Sequence, residues 1–175
     1  MWVESDVLDA RAAVDGDFDL VHASIGTITW LPDQDRWAAQ VAGLLRAGGR
    51  FTSATGYIRD GHPSLHPIDE HADGMTLRYP YFGNGRAQIW DDESTYVGDG
   101  KVAHSRTSQW AHPISEIINS LIGPGLQILR VDEGKPLPWT FSPRMVEFPD
   151  RYAWPQAECD LVPCTYTIIA RKAGQ

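Results

Sequence analysis

Between Phe18 and Thr55 the chain is written as strand, helix, strand, and that unit constrains the fold more than any other feature. Phe18–Ala23 (FDLVHA) is a short apolar run behind a Gly-Asp turn, as a buried strand requires. Asp33 can cap a helix that presents Trp37, Val41, Leu44 and Leu45 on one face. Gly48-Gly49 is expected to stop that helix before a second extended run over residues 50–55 (RFTSAT). Strands joined through a helix lie parallel, because the crossover passes over one sheet face with right-handed sense. The expected fold class is therefore α/β, and an all-β sandwich is excluded.

The rest of the chain adds to that sheet. Residues 75–110 alternate aromatic and β-branched side chains around turn signals at Gly83-Asn84-Gly85 and Asp99-Gly100, which predicts an antiparallel β insertion. A second helix follows, with Pro113 near its first turn and Ile114, Ile117, Ile118, Leu121 and Ile122 at helical spacing; Gly123-Pro124-Gly125 ends it. Residues 127–131 and 165–170 (TYTIIA) read as strands, separated by a stretch rich in proline and aromatics over 134–163. With no internal repeat or linker, residues 1–175 are expected to form a single domain, and 42% hydrophobic content suits one core.

Charge and cysteines narrow the function. A formal net charge of −8 without a Lys/Arg cluster disfavours a nucleic-acid partner, since affinity there comes from neutralising phosphates. A small neutral or cationic molecule suits it better. Two cysteines, Cys159 and Cys164, are too few for a disulfide scaffold and lack zinc-ribbon spacing. The N-terminal stretch carries acids where an export signal has a basic flank, and no segment has the length of a membrane span. The expected setting is the cytoplasm, away from membranes.

The run FDLVHASIGTITWLPDQDRWAAQVAGLLRAGGRF resembles the fourth strand, following helix and fifth strand of class I S-adenosylmethionine-dependent methyltransferases. SQWAHPISEIINSLIGPGLQILRVDEG is similar to that family's last helix and sixth strand, and VPCTYTIIARK to its closing seventh strand. The resemblance implies a partial Rossmann-like methyltransferase sheet, the strands equivalent to four through seven of the order 3-2-1-4-5-7-6, with the seventh antiparallel. It implies S-adenosylmethionine as cofactor and a small molecule as methyl acceptor. The family's GxGxG loop is not found, and Met1 falls near what corresponds to the end of strand three. Weakened cofactor binding and an exposed edge on the strand-four equivalent are expected consequences. They leave three accounts of the chain: a misplaced start codon, a gene remnant, or a non-catalytic subunit or pseudoenzyme completed by a partner chain or a second copy.

The resemblance also assigns positions. Asp6 corresponds to the acid that meets the adenine amino group, and Val7 to the apolar residue against its ring; alone, Asp6 would read as a surface acid. Ala23, Ser24, Ile25 and Gly26 correspond to the end of strand four, which faces the methionine portion and the transferred methyl. Trp30, Tyr81 and Trp110 are candidates for substrate binding, because an aromatic face at a loop mouth can attract and shield a sulfonium, although tryptophan also packs in cores. Trp37 and Trp90 fit core packing. In GYIRDGHPSLHPIDEH the pairs His62-Pro63 and His66-Pro67 both match the family's His-Pro near the active site, so His62 and His66 are the candidate bases. His62, His66, Asp69 and His71 could ligate a metal, but loop spacing without a signature favours solvated histidines, and no metal is expected.

Overall fold

A computed structural model describes residues 2–24, 26–56, 73–74, 76, 78–93, 100–140 and 142–174. In chain order these contain helix α1 (Ala10–Ala13), strand β1 (Phe18–Ala23), helix α2 (Gln34–Leu44) and strand β2 (Leu45–Gly56). Hairpin strands β3 (Gln88–Asp91) and β4 (Arg106–Gln109) follow, then helix α3 (Ile114–Ile122) and strand β5 (Leu126–Gly134). A short pair, β6 (Val146–Phe148) and β7 (Arg151–Ala153), precedes the last strand, β8 (Thr165–Lys172). Among the described residues, no helix is long and apolar enough to cross a membrane.

Alternation builds the sheet. On β8, Tyr166, Ile168 and Ala170 are buried while their neighbours are not, the period of two that turns every second side chain toward a core. Phe51 and Ser53 on β2 share that buried face. Helix α2 supplies Trp37, Ala38 and Val41 to the same cluster, and α3 supplies Ile117 and Leu121. Trp37 meets Phe51 edge-on, with ring centroids 5.5 Å apart, so Trp37 is a core residue. Trp90 is half-buried against Tyr79 at 5.5 Å.

β1 and β2 are parallel, β8 is antiparallel to β2 and β5 is antiparallel to β8, in the order β1-β2-β8-β5. This is the α/β arrangement expected for strands four, five, seven and six, with the seventh reversed. β1 has β2 as its one pairing partner among the described residues.

Local details depart from expectation. Gly48-Gly49 does not end α2: the chain leaves the helix at Leu45, and the two glycines lie inside β2. Gly48 has φ +76°, and a Cβ on Gly49 would stand 2.9 Å from the carbonyl oxygens of Phe18 and Arg46. The pair is thus a bulge that lets β2 close on β1, seen as the register jump between Phe18 and Leu20. Gly83-Asn84-Gly85 is not a hairpin turn either, since the hairpin pairs Gln88–Asp91 with Arg106–Gln109. Gly83 instead passes so close to Ala111 that a Cβ would meet its carbonyl oxygen at 2.3 Å. The proline- and aromatic-rich stretch 134–163 contains the β6–β7 hairpin and an isolated bridge between Leu137 and Tyr152.

Candidate functional site

The carboxyl ends of the parallel strands β1 and β2 lie at one end of the sheet, and the loop after β1 begins there. Ala23 ends β1 buried, Gly26 turns the chain at φ +85°, and a 310 turn follows over Ile28–Trp30. Thr27 steadies this turn by donating its hydroxyl to the Ser24 carbonyl at 2.9 Å. Ile28 and Thr29 are fully buried, whereas Trp30 between Thr29 and buried Leu31 is 43% exposed.

The N-terminal segment reaches the same region. Asp6 accepts the Leu8 amide hydrogen at 2.9 Å and so caps a 310 turn over Val7–Asp9. Arg36 on α2 donates to the Leu8 carbonyl at 3.1 Å and pairs with Asp9. The Asp9 hydrogen bond and charge raise the Arg36 guanidinium above its usual range. These ties hold the Val7–Asp9 turn against α2.

Between them lies a cleft of about 190 Å³. Val7, Ala10, Ala23, Ser24 and Thr27 line it, with Phe51 and Trp37 also in its walls. The structure thus brings three of the sequence candidates, Val7, Ala23 and Ser24, onto one cavity, with Asp6 adjoining it in the chain. Gly26 is buried in the turn beyond. Ile25, His62 and His66 lie outside the described residues, as do Asp69, Glu70 and His71. Among the described residues, no group of three His, Cys, Asp or Glu side chains could hold a metal.

Trp30, Tyr81 and Trp110 are not in that cleft's lining. Trp110 donates its amide to the Thr29 carbonyl at 2.9 Å, which places it beside the Trp30 turn. Tyr81 packs partly buried against the core and meets Phe82 edge-on at 4.9 Å. The structure therefore sets Trp110 beside the Trp30 turn but does not bring the three aromatic candidates onto the cleft.

His112 is the residue that sequence reasoning passed over. It is buried, with Nε2 2.8 Å from the Leu31 carbonyl oxygen and Nδ1 3.0 Å from Glu116 Oε1. The available signal was a third His-Pro dipeptide, His112-Pro113, directly ahead of an amphipathic helix.

An apolar cleft with small polar atoms at its rim can seat a flat, polar-edged group and exclude water from it. Such a site contributes to group transfer chiefly through alignment.

No family profile and no curated protein matches this sequence. Solved structures do match in fold. An S-adenosylmethionine-dependent methyltransferase from Mesorhizobium loti aligns with a TM-score of 0.52 at 16% identity, over 89% of this chain and 62% of that one. A second, from Clostridium acetobutylicum, aligns with a TM-score of 0.52 at 13% identity, over 97% and 63%. The glycopeptide N-methyltransferase MtfA, in complex with S-adenosyl-L-methionine, aligns with a TM-score of 0.50 at 14% identity, over 97% and 59%. This chain spans less than two thirds of the length of each. At these identities the likeness is one of fold: an α/β sheet of the Rossmann-like methyltransferase type.

Proposed function

We propose that the chain takes part in S-adenosylmethionine-dependent methyl transfer to a small-molecule acceptor. The observation that carries this is the cleft where Val7, Ala23 and Ser24 meet at the carboxyl end of β1, beside Asp6. Crevices of this kind, at the carboxyl ends of strands in open α/β sheets, are where such folds bind ligands. At about 190 Å³ the cleft is smaller than the roughly 300–1,000 Å³ of complete small-molecule sites, so it fits one end of the cofactor.

Asp6 would accept a hydrogen bond from the adenine amino group. Its carboxylate offers about four lone-pair sites, and capping Leu8 uses one. Val7 would lie against the adenine ring, and Ala23, Ser24, Ile25 and Gly26 would border the methionine portion. When bound, the sulfonium supplies an activated methyl group. The chain's own task is then to orient the acceptor and keep water out, with Trp30, Tyr81 and Trp110 forming the acceptor wall. His62 or His66 would take the proton the acceptor loses. A cytoplasmic setting belongs to the same proposal, in keeping with two free cysteines.

Calorimetric titration of S-adenosylhomocysteine into the purified chain tests this. Micromolar binding, about −8 kcal/mol, is expected, weakened at least tenfold in Asp6→Ala with the thermal melt as a folding control. A folded sample that binds neither this ligand nor S-adenosylmethionine would remove the proposal for this polypeptide.

A second reading, a non-catalytic methyltransferase-like subunit completed by another chain or a second copy, is favoured by one observation. The outer edge of β1 carries Phe18 and Leu20 exposed, Leu20 at 55%, with no strand beside it among the described residues. Such an edge is a template for further pairing. Sedimentation velocity is expected to show concentration-dependent association that Leu20→Lys weakens about tenfold, an outcome contradicted by a wild-type chain that stays monomeric at every concentration.

A further inference from the structure

The loop that carries Trp30 is fastened to a distant part of the chain. Trp110 donates its amide to the Thr29 carbonyl at 2.9 Å, and two residues on, His112 Nε2 lies 2.8 Å from the carbonyl of Leu31. These are two rungs with matching spacing on both segments, across 81 residues of sequence. Both rung residues at the far end precede proline, in Leu31-Pro32 and His112-Pro113. Proline confines the residue before it to extended backbone, and Leu31 is found at φ −100°, ψ 121°. Each segment is therefore shaped for the contact before it forms.

A carbonyl oxygen only accepts, so His112 Nε2 must be the donor of this bond. The other ring nitrogen, 3.0 Å from Glu116 Oε1 one turn into α3, sets the orientation of the ring. Gln34 adds a weaker donor to Leu31 at 3.4 Å and one to Ile28 at 3.2 Å. Burying an imidazole is costly unless its nitrogens are bonded. Here one nitrogen meets Glu116 within its own segment while the other reaches a carbonyl 81 residues away, which marks the group as a tie and not as core filler. Ile28, Thr29 and Leu31 are consequently drawn inward while Trp30 is left facing out.

We propose that His112 is a positioning residue that locks the Trp30 turn across the carboxyl end of β1, so that the indole forms a fixed wall of the acceptor side. The acceptor-side role rests on the methyl-transfer proposal above; the latch itself does not. His112→Leu removes the donor while keeping bulk. His112→Gln keeps an amide nitrogen at comparable reach and should rescue. His112→Asn reaches toward Glu116 but not Leu31, and should behave as His112→Leu does.

The chain has seven tryptophans, so each variant is paired with its Trp30→Phe counterpart and the Trp30 signal taken by difference. Without ligand, acrylamide quenching of Trp30 is expected to rise about twofold in His112→Leu and His112→Asn, and to match wild type in His112→Gln. Should the leucine variant fail to fold, the asparagine and glutamine pair decides. Equal quenching in wild type and His112→Asn would overturn the latch, as would a glutamine variant as loose as asparagine. Failure of S-adenosylhomocysteine to bind wild type would remove the methyl-transfer proposal and leave the quenching result standing; intact binding with an unmoved Trp30 would remove the latch alone.

Discussion

Replacing Phe51 by alanine is expected to lower the unfolding free energy by about 3–5 kcal/mol, the range for deleting a fully buried aromatic. Phe51 is inaccessible to solvent, sits on β2 between the β1 and β8 pairings, and takes the edge of Trp37 at 5.5 Å. Neighbours held in three directions cannot collapse into the space, so the cavity persists and its cost adds to the lost transfer energy. Domains of this size have only about 5–15 kcal/mol in hand. Urea unfolding of Phe51→Ala beside Leu161→Ala, whose side chain is 67% exposed, makes the comparison. The second substitution should stay within about 0.5 kcal/mol of wild type. Because Phe51 also lines the cleft, ligand binding should weaken in the first variant even under conditions where it remains folded.

The second large effect is alkaline. Cys164 sits at the foot of the segment between β5 and β8, its amide bonded to the Gly134 carbonyl at 2.7 Å and its side chain buried beside Trp154. Burial pushes its thiol pKa up to about 12, partly offset by a hydrogen bond with Trp154. A raised folded-state pKa means the folded chain holds this proton more tightly than the unfolded one. The stabilisation is complete below the ordinary thiol pKa, near 9, and is lost as pH rises toward 12. At about 1.4 kcal/mol per unit, up to roughly 4 kcal/mol is at stake. Denaturant midpoints of wild type and Cys164→Ala between pH 8 and 11 should converge as pH rises. Parallel curves would show that the thiol ionises in the folded state with no such penalty.

Much of the fold was legible because its determinants are local. The alternation on β8, the Asp33 cap that accepts the Arg36 amide at 2.8 Å, and Pro113 as the residue before α3 all act within a few residues. Val7, Ala23 and Ser24 came to attention through resemblance, and they line one cleft because the 310 turn capped by Asp6 is tied to α2 through Arg36. His112 was missed for a corresponding reason. A His-Pro pair before a helix has the same local character wherever it occurs, and two others stood in a segment with more titratable side chains. What distinguishes His112 is its carbonyl partner 81 residues away.

Gly48-Gly49 shows the same division. A glycine pair after a helical stretch satisfies the local chemistry of a helix stop, and also that of a bulge. The choice fell to the bulge because Phe18 of the neighbouring strand approaches Gly49 too closely for any Cβ. By itself the sequence determined the α/β class and the identity of most helices and strands, since hydrophobic period and capping are set by neighbours along the chain; the run Phe18–Ala23, expected to be a buried strand, instead leaves Phe18 and Leu20 exposed because β1 lies at the sheet edge. Tertiary structure alone decided which glycines bulge, that His112 is buried, and which side chains line the cleft. Those outcomes depend on contacts between segments far apart in sequence, whose free energies exist only once the sheet has brought them together.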